Sequence, residues 1–153
     1  MRVLAVDPGE KNLGIALSDP TGVIANPLAV LQHVSRPLDA AAITQLAEQH
    51  GAGRIVVGMA LDDENQPTPQ SRRAGKLAAA LKSQTRIPVV LWDESGSTQA
   101  ARAARLQMGA SRRKRSGHLD ELAATYILQT YLDALASGPQ AAPPGVAENQ
   151  AGE

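Results

Sequence analysis

The apolar pattern of this chain changes period once, after Pro37, and that change constrains the fold more than any other feature. Before it, three short apolar runs follow one another at hairpin spacing: Arg2 to Asp7 (RVLAVD), stopped by Pro8-Gly9; Leu13 to Ser18 (LGIALS), stopped by Asp19-Pro20; and Gly22 to Leu31. Runs of that length separated by turn signals predict an antiparallel meander. After it, Ile43, Leu46 and Ala47 recur at helical spacing from an expected cap at Asp39 as far as Gly51. Arg54 to Gly58 (RIVVG) and Val89 to Trp92 are continuously apolar, the mark of strands covered on both faces. Residues 70–85, Thr98 to Met108 and Leu119 to Ala136 read as helices. Three strands followed by alternating helices and strands predict an α/β fold: a mixed sheet of three antiparallel N-terminal strands plus two parallel strands, with helices on both faces.

At 153 residues the chain has the length of one domain. The expected domain is 1–137. The remainder, GPQAAPPGVAENQAGE, has only Val146 as a branched apolar residue and is expected to be disordered, because burial there cannot offset ordering entropy. With no cysteine in the chain, disulfides, zinc-cysteine sites, iron–sulfur clusters and thiol nucleophiles are excluded. Met1-Arg2 leads directly into a strand pattern and no stretch has the apolar length of a membrane span, so a cytoplasmic location is the expectation.

Three acidic positions stand out. Asp7 ends the first strand, on the face shared by Val3 and Ala5, where open α/β sheets place ligands. An aspartate before Pro-Gly more often bonds its own backbone, so alone it says little. Asp93-Glu94 end a second buried-type strand, and carboxylates at the ends of neighbouring strands repel unless a cation lies between them. Asp120 precedes Ala123, Ala124 and Ile127 by three, four and seven residues. That spacing puts it on the apolar side of the last helix, where a charge needs a partner. The helix dipole also favours an acid in the first turn, but does not explain its facing the core. Two strand-end acids and one inward-facing helical acid can converge on a single oxygen-ligand site. Carboxylates without cysteine, and with His33, His50 and His118 scattered, select hard ions such as Mg2+ or Mn2+. A pair of such ions about 3.5–4 Å apart activates water and stabilises the leaving oxygen of a phosphodiester.

Charge supplies the expected substrate. The 15 Lys and Arg balance the 15 Asp and Glu, which at first sight argues against a polyanion ligand. The balance hides segregation. Between Ser95 and Leu119 there is no acidic residue, while Arg102, Arg105, Arg112, Arg113, Lys114 and Arg115 are all cationic. A solvated basic loop would serve solubility, but a run dominated by arginine leans towards phosphate contacts. Setting aside Glu148 and Glu153 in the tail leaves 15 basic against 13 acidic residues. One Trp, two Tyr and no Phe make readout by base stacking an unpromising mode.

The string Asp7-Pro-Gly-Glu-Lys-Asn-Leu-Gly-Ile-Ala-Leu-Ser-Asp resembles the D-x-G-x-K-x-x-G-[IV]-A-x-S-D motif of the YqgF (RuvX) family, whose members are described as Holliday junction resolvases and pre-16S rRNA processing nucleases. Val56-Val57-Gly58 is similar to that family's V-V-G-L-P segment, Asp93-Glu94 to its D-E-R-L-T-T segment, and Asp120 with Ala123-Ala124 and Ile127-Leu128 to its D-x-x-A-A-x-x-I-L helix. The segments occur in order from residue 1 to about Leu135. Ala60 stands where the family has proline, and Ser95-Gly96 where it has Arg-Leu. The resemblance implies a ribonuclease H-like fold and a nuclease whose catalytic, metal-binding acids are Asp7, Glu94 and Asp120. It also implies Lys11 beside the site, two Mg2+ or Mn2+ ions as cofactors, and RNA precursor or structured or single-stranded DNA as partner. A resolvase of four-way junctions is expected to act as a symmetric homodimer, whereas trimming an rRNA end requires one site.

Two other classes fit less well. A non-catalytic nucleic-acid-binding factor would keep the fold and tolerate the altered segment after Glu94. A sugar-kinase or actin-like ATPase also uses an Asp-x-Gly hairpin, but needs two such domains. No G-x-x-x-x-G-K-[ST] loop, G-x-S-x-G elbow or H-E-x-x-H helix is present.

Overall fold

The computed structural model describes residues 1–94 and 119–137. Five strands, β1 (Arg2–Pro8), β2 (Asn12–Ser18), β3 (Ala25–Gln32), β4 (Ala52–Met59) and β5 (Val89–Asp93), form one sheet in the order β3-β2-β1-β4-β5. β2 is antiparallel to both β1 and β3, while β1, β4 and β5 run parallel. The expected mixed sheet is therefore present. Helices α1 (Arg36–Gln49) and α2 (Pro69–Gln84) cover one face and α3 (Leu119–Ala136) the other. The helix expected over Thr98 to Met108, the basic stretch through Arg115 and the tail after Ser137 lie outside the described residues. Among the described residues no helix is long and apolar enough to cross a membrane.

Alternation along the strands sorts the core into two layers. Leu4, Val6, Ile55, Val57 and Val89 pack against Ile43, Ala47, Leu77 and Leu81 of α1 and α2. Val3, Ala5, Val56, Val90 and Trp92 pack against Ala124, Ile127, Leu128, Tyr131 and Leu132 of α3. The unbroken apolarity of RIVVG thus has its expected cause: β4 is buried on both sides.

Polar contacts hold α3 in register on the sheet. The Trp92 and Tyr131 rings meet edge to face at 5.5 Å, and Trp92 Nε1 donates to Thr130 Oγ1 at 2.9 Å. Gln129 accepts from Ala25 N and donates to Val23 O, both at 2.9 Å, tying the helix to the start of β3. Arg54 Nη1 donates to the Tyr131 hydroxyl at 2.6 Å. Arg54 Nε is already buried without an acceptor, so Tyr131→Phe strands a second donor of the same guanidinium. We expect it to lower unfolding free energy by about 1–3 kcal/mol in urea titrations.

Two turns are built differently from the sequence expectation or add to it. The N-cap of α1 is Ser35, whose Oγ accepts from Leu38 N, rather than Asp39. Asp39 is buried in the first turn; its carboxylate accepts from Val34 N at 3.0 Å and pairs with His33 Nδ1. Ser35-Arg36-Pro37 supplies both the capping hydroxyl and an early helical proline, which releases Asp39 for that inward role. In the β2–β3 turn the Asp19 carboxylate accepts from the backbone of Ile24, Val23 and Thr21 and from the Thr21 hydroxyl. These bonds, the Ile24 one foremost, hold its carboxyl well below the usual carboxylate range. The folded chain therefore binds this proton less tightly than the unfolded one. Its stabilisation is complete above the ordinary aspartate value of 3.8 and is lost as pH falls below it. In thermal melts between pH 5 and pH 2.5, Asp19→Asn is expected to lose less stability than the parent.

Candidate active site

The carboxyl ends of β1, β4 and β5 lie at one edge of the sheet. β1 and β5 are not neighbours: β4 separates them, so the strand-end acids face each other across a strand whose backbone spaces them by about 10 Å. That is a correction to the expected adjacency of the two strands. Register places Val6 beside Val57 and Val57 beside Leu91. One residue further, Asp7 is level with Gly58, and Gly58 pairs with Trp92. On its other side Asp7 pairs with Gly14 of β2. Both flanking positions are glycines: Gly14, the partner of Asp7 in β2, and Gly58, one step beyond the last β1–β4 pair, where the Ile127 side chain fills the space a Cβ would take.

Alternation also separates the two acids that end β5. Asp7 follows Val3 and Ala5 and faces α3. Glu94 comes directly after β5, two residues beyond Trp92, and is buried at 8% relative exposure. Asp93 follows Val89 and Leu91, which pack towards α1 and α2, and pairs in register with Met59. Alternation along β5 therefore turns Asp93 to the face opposite Asp7, and leaves Glu94, the buried acid just past the strand end, as the candidate from this pair.

Asp120 is the second residue of α3, and its backbone position continues the buried row Ala124, Ile127, Leu128 and Tyr131 towards the same sheet edge; its side chain lies outside the described residues. Where α3 crosses β4 the approach is close. A Cβ on Gly58 would lie 2.5 Å from Ile127 Cδ1 and 3.1 Å from its Cγ2. Gly58 thus sets how closely α3 approaches β4 at Ile127. Among the described residues no three His, Asp or Glu side chains gather closely enough to hold an ion. The described donors at this edge are the carboxylates of Asp7 and Glu94, a hard oxygen set free of sulfur.

Lys11 is exposed in the β1–β2 turn, whose form is fixed by Gly9. Gly9 N donates to Asn12 O at 3.0 Å, and a Cβ there would stand 2.4 Å from the same oxygen. The Lys11 carbonyl accepts from His33 N at 2.8 Å, so the turn is braced from β3. Arg102, Arg105, Arg112, Arg113, Lys114 and Arg115 lie outside the described residues.

Sequence reasoning passed over Gln70. Its Nε2 donates to Gly58 O at 2.9 Å and its Oε1 accepts from Ala60 N at 2.7 Å, clamping the end of β4. Proline at 60 would lack that N–H, so this departure from the family pattern has a local partner here. A glutamine in the first turn of a helix carries no signal of such a role before the fold is known.

The family model described as RuvX, Holliday junction resolvase, matches residues 1–134. The chain belongs to the RuvX family. Among curated RuvX-family proteins, one from Moorella thermoacetica, provisionally named a pre-16S rRNA nuclease, is 37% identical over 135 residues, covering 88% of this chain and 96% of its own length. A relative of the same provisional name from Desulforudis audaxviator is 35% identical over 138 residues, covering 90% and 98%. Among solved structures, Thermus thermophilus RuvC in complex with Holliday junction substrate superposes with a TM-score of 0.61 at 17% identity, covering 90% of this chain and 96% of that one. That likeness establishes the fold, which is ribonuclease H-like as the sequence resemblance implied.

Proposed function

We propose that this RuvX-family chain is a divalent-metal-dependent nuclease, with residues 1–137 as its nuclease domain, acting on the 5′ end of pre-16S rRNA. What supports the reading is that Asp7 and Glu94 stand at the carboxyl ends of β1 and β5, at one edge of the sheet, and that Asp120 is the second residue of α3, the helix packed on the face that Asp7 shares with Val3 and Ala5. The donor set fits a hard cation: the described donors are carboxylate oxygens, one of them on a buried glutamate, and the chain has no cysteine to add a thiolate. Asp7, Glu94 and Asp120 would hold Mg2+ or Mn2+, which supplies an activated water nucleophile and neutralises charge at the leaving oxygen. Asp7, rooted in the central strand, fixes the position of that chemistry; Glu94 and Asp120 flank it from β5 and α3. Lys11 and the cationic run Arg102, Arg105, Arg112, Arg113, Lys114 and Arg115 would hold the nucleic-acid backbone, which the scarcity of aromatics also favours. A location in the cytoplasm accords with this substrate.

The RuvX family description supports a second reading, cleavage of four-way DNA junctions, which would require a homodimer presenting two sites. Labelled pre-16S rRNA fragments, single-stranded DNA and four-way junctions, each assayed with Mg2+, with Mn2+ and with EDTA, separate these readings. The proposal expects cleavage of the rRNA precursor that EDTA abolishes and either ion restores. Preferential cutting of the junction by a dimer would favour the second reading. Tight binding with no cleavage of any substrate would identify a binding factor instead.

A further inference from the structure

Arg73 stands in the second turn of α2, on the side of the sheet opposite α3. Its half-buried side chain reaches over the end of β1, where Nε donates to the Pro8 carbonyl at 3.3 Å. Pro8 directly follows Asp7. A guanidinium carries five N–H donors in a rigid plane. One is anchored here, and among the described residues Nη1 and Nη2 have no acceptor. The anchor fixes the plane of the fork and leaves its outer edge, the one that takes two oxygens at once, open beside the strand end.

Neighbouring groups that could receive an anion are otherwise engaged. Thr68 and Ser71 cap each other across the start of α2, at 3.0 and 2.8 Å, which closes that helix end. The Gln70 amide is used on both sides by β4. Arg72 is exposed and has no anchor. Lys11, three residues beyond Pro8, brings a second cation to the same turn.

We propose that Arg73 binds a backbone phosphate of the nucleic-acid strand as it passes over the end of β1 next to Asp7, its Nη1 and Nη2 each donating to a non-bridging oxygen. This deepens the nuclease reading and rests on it. Binding can be measured without turnover, using the full chain in EDTA with fluorescein-labelled single-stranded RNA and DNA over a series of salt concentrations. Arg73→Gln is expected to weaken binding about tenfold at low salt. It should also reduce the slope of log K against log salt by about 0.7, the signature of one lost phosphate contact on a single strand. A role confined to holding the β1–β2 turn would instead leave affinity and slope at parent values and lower kcat alone, and that result overturns the proposal. In the parent chain, bound strand is expected to shield Arg73 from phenylglyoxal, read by mass spectrometry. Equal modification with and without the strand would also overturn it, whatever the folding of the variant. Failure of the underlying reading looks different: the parent chain itself would then bind no strand, or cleave none with metal present.

Discussion

Asp7→Asn is expected to lower metal-dependent cleavage by about a thousandfold or more while leaving affinity for the nucleic-acid strand in EDTA within about twofold. The substitution keeps the shape of the side chain at the end of the central strand and removes one negative charge. Its partner across the sheet in β2, Gly14, has no side chain to take over as ligand. Loss of a single preorganised electrostatic contact in an enzyme commonly costs about 10²–10³ in rate, and a carboxylate that holds the ions affects nucleophile and leaving group together. A second readout comes from stability. A ligand that binds only the folded state at a hundred times its Kd adds about 2.7 kcal/mol. The parent chain should therefore melt higher in Mn2+ than in EDTA, and Asp7→Asn should lose most of that difference.

Gly58→Ala is the second large effect, and it acts through packing. The new methyl would fall 2.5 Å from Ile127 Cδ1 and about as close as 3.1 and 3.2 Å to Cγ2 and Cγ1. Cδ1 can rotate away, but Cγ2 is fixed to the branched Cβ and moves only with the whole side chain. Overpacking of this kind costs about 1–3 kcal/mol, offset in part by the lower backbone entropy of alanine in the unfolded chain. Relief by lifting the amino-terminal half of α3 would carry Asp120 away from Asp7 and Glu94, so cleavage should fall more steeply than stability. Adding Ile127→Val removes Cδ1 and is expected to restore part of both losses. The double variant would then be more stable than the sum of its single changes predicts, the mark of direct coupling.

The fold was legible because two periods are written plainly in the chain. RVLAVD and LGIALS with their Pro-Gly and Asp-Pro stops fix the hairpin, and RIVVG with VVLW fix two strands buried on both faces. Alternation alone places Asp7 on the face of Val3 and Ala5; that α3 covers this face comes from the packing. What could not be read was anything that depends on strand order. That β4 lies between β1 and β5 decides that Gly58 comes level with Asp7, that Gln70 clamps the end of β4 and that the acids stand apart rather than adjacent. The exchange of roles between Ser35 and Asp39 was hidden for a different reason: both are good capping residues, and only the burial of Asp39 against His33 distinguishes them. Arg73 reads in sequence as one more solvated helix cation; its anchor on Pro8, 65 positions away in the chain, appears only once α2 is laid across the end of β1.

Asp93 and Glu94 are adjacent and both acidic, and only Glu94 is assigned here to the metal site. Cleavage of labelled substrate in Mn2+ by Glu94→Gln and by Asp93→Asn, measured side by side with the parent chain, therefore tests the proposed metal site most directly. The account predicts that Glu94→Gln loses activity by about a hundredfold or more while Asp93→Asn stays within about threefold of the parent. Full activity in Glu94→Gln, or collapse in Asp93→Asn alone, would contradict it.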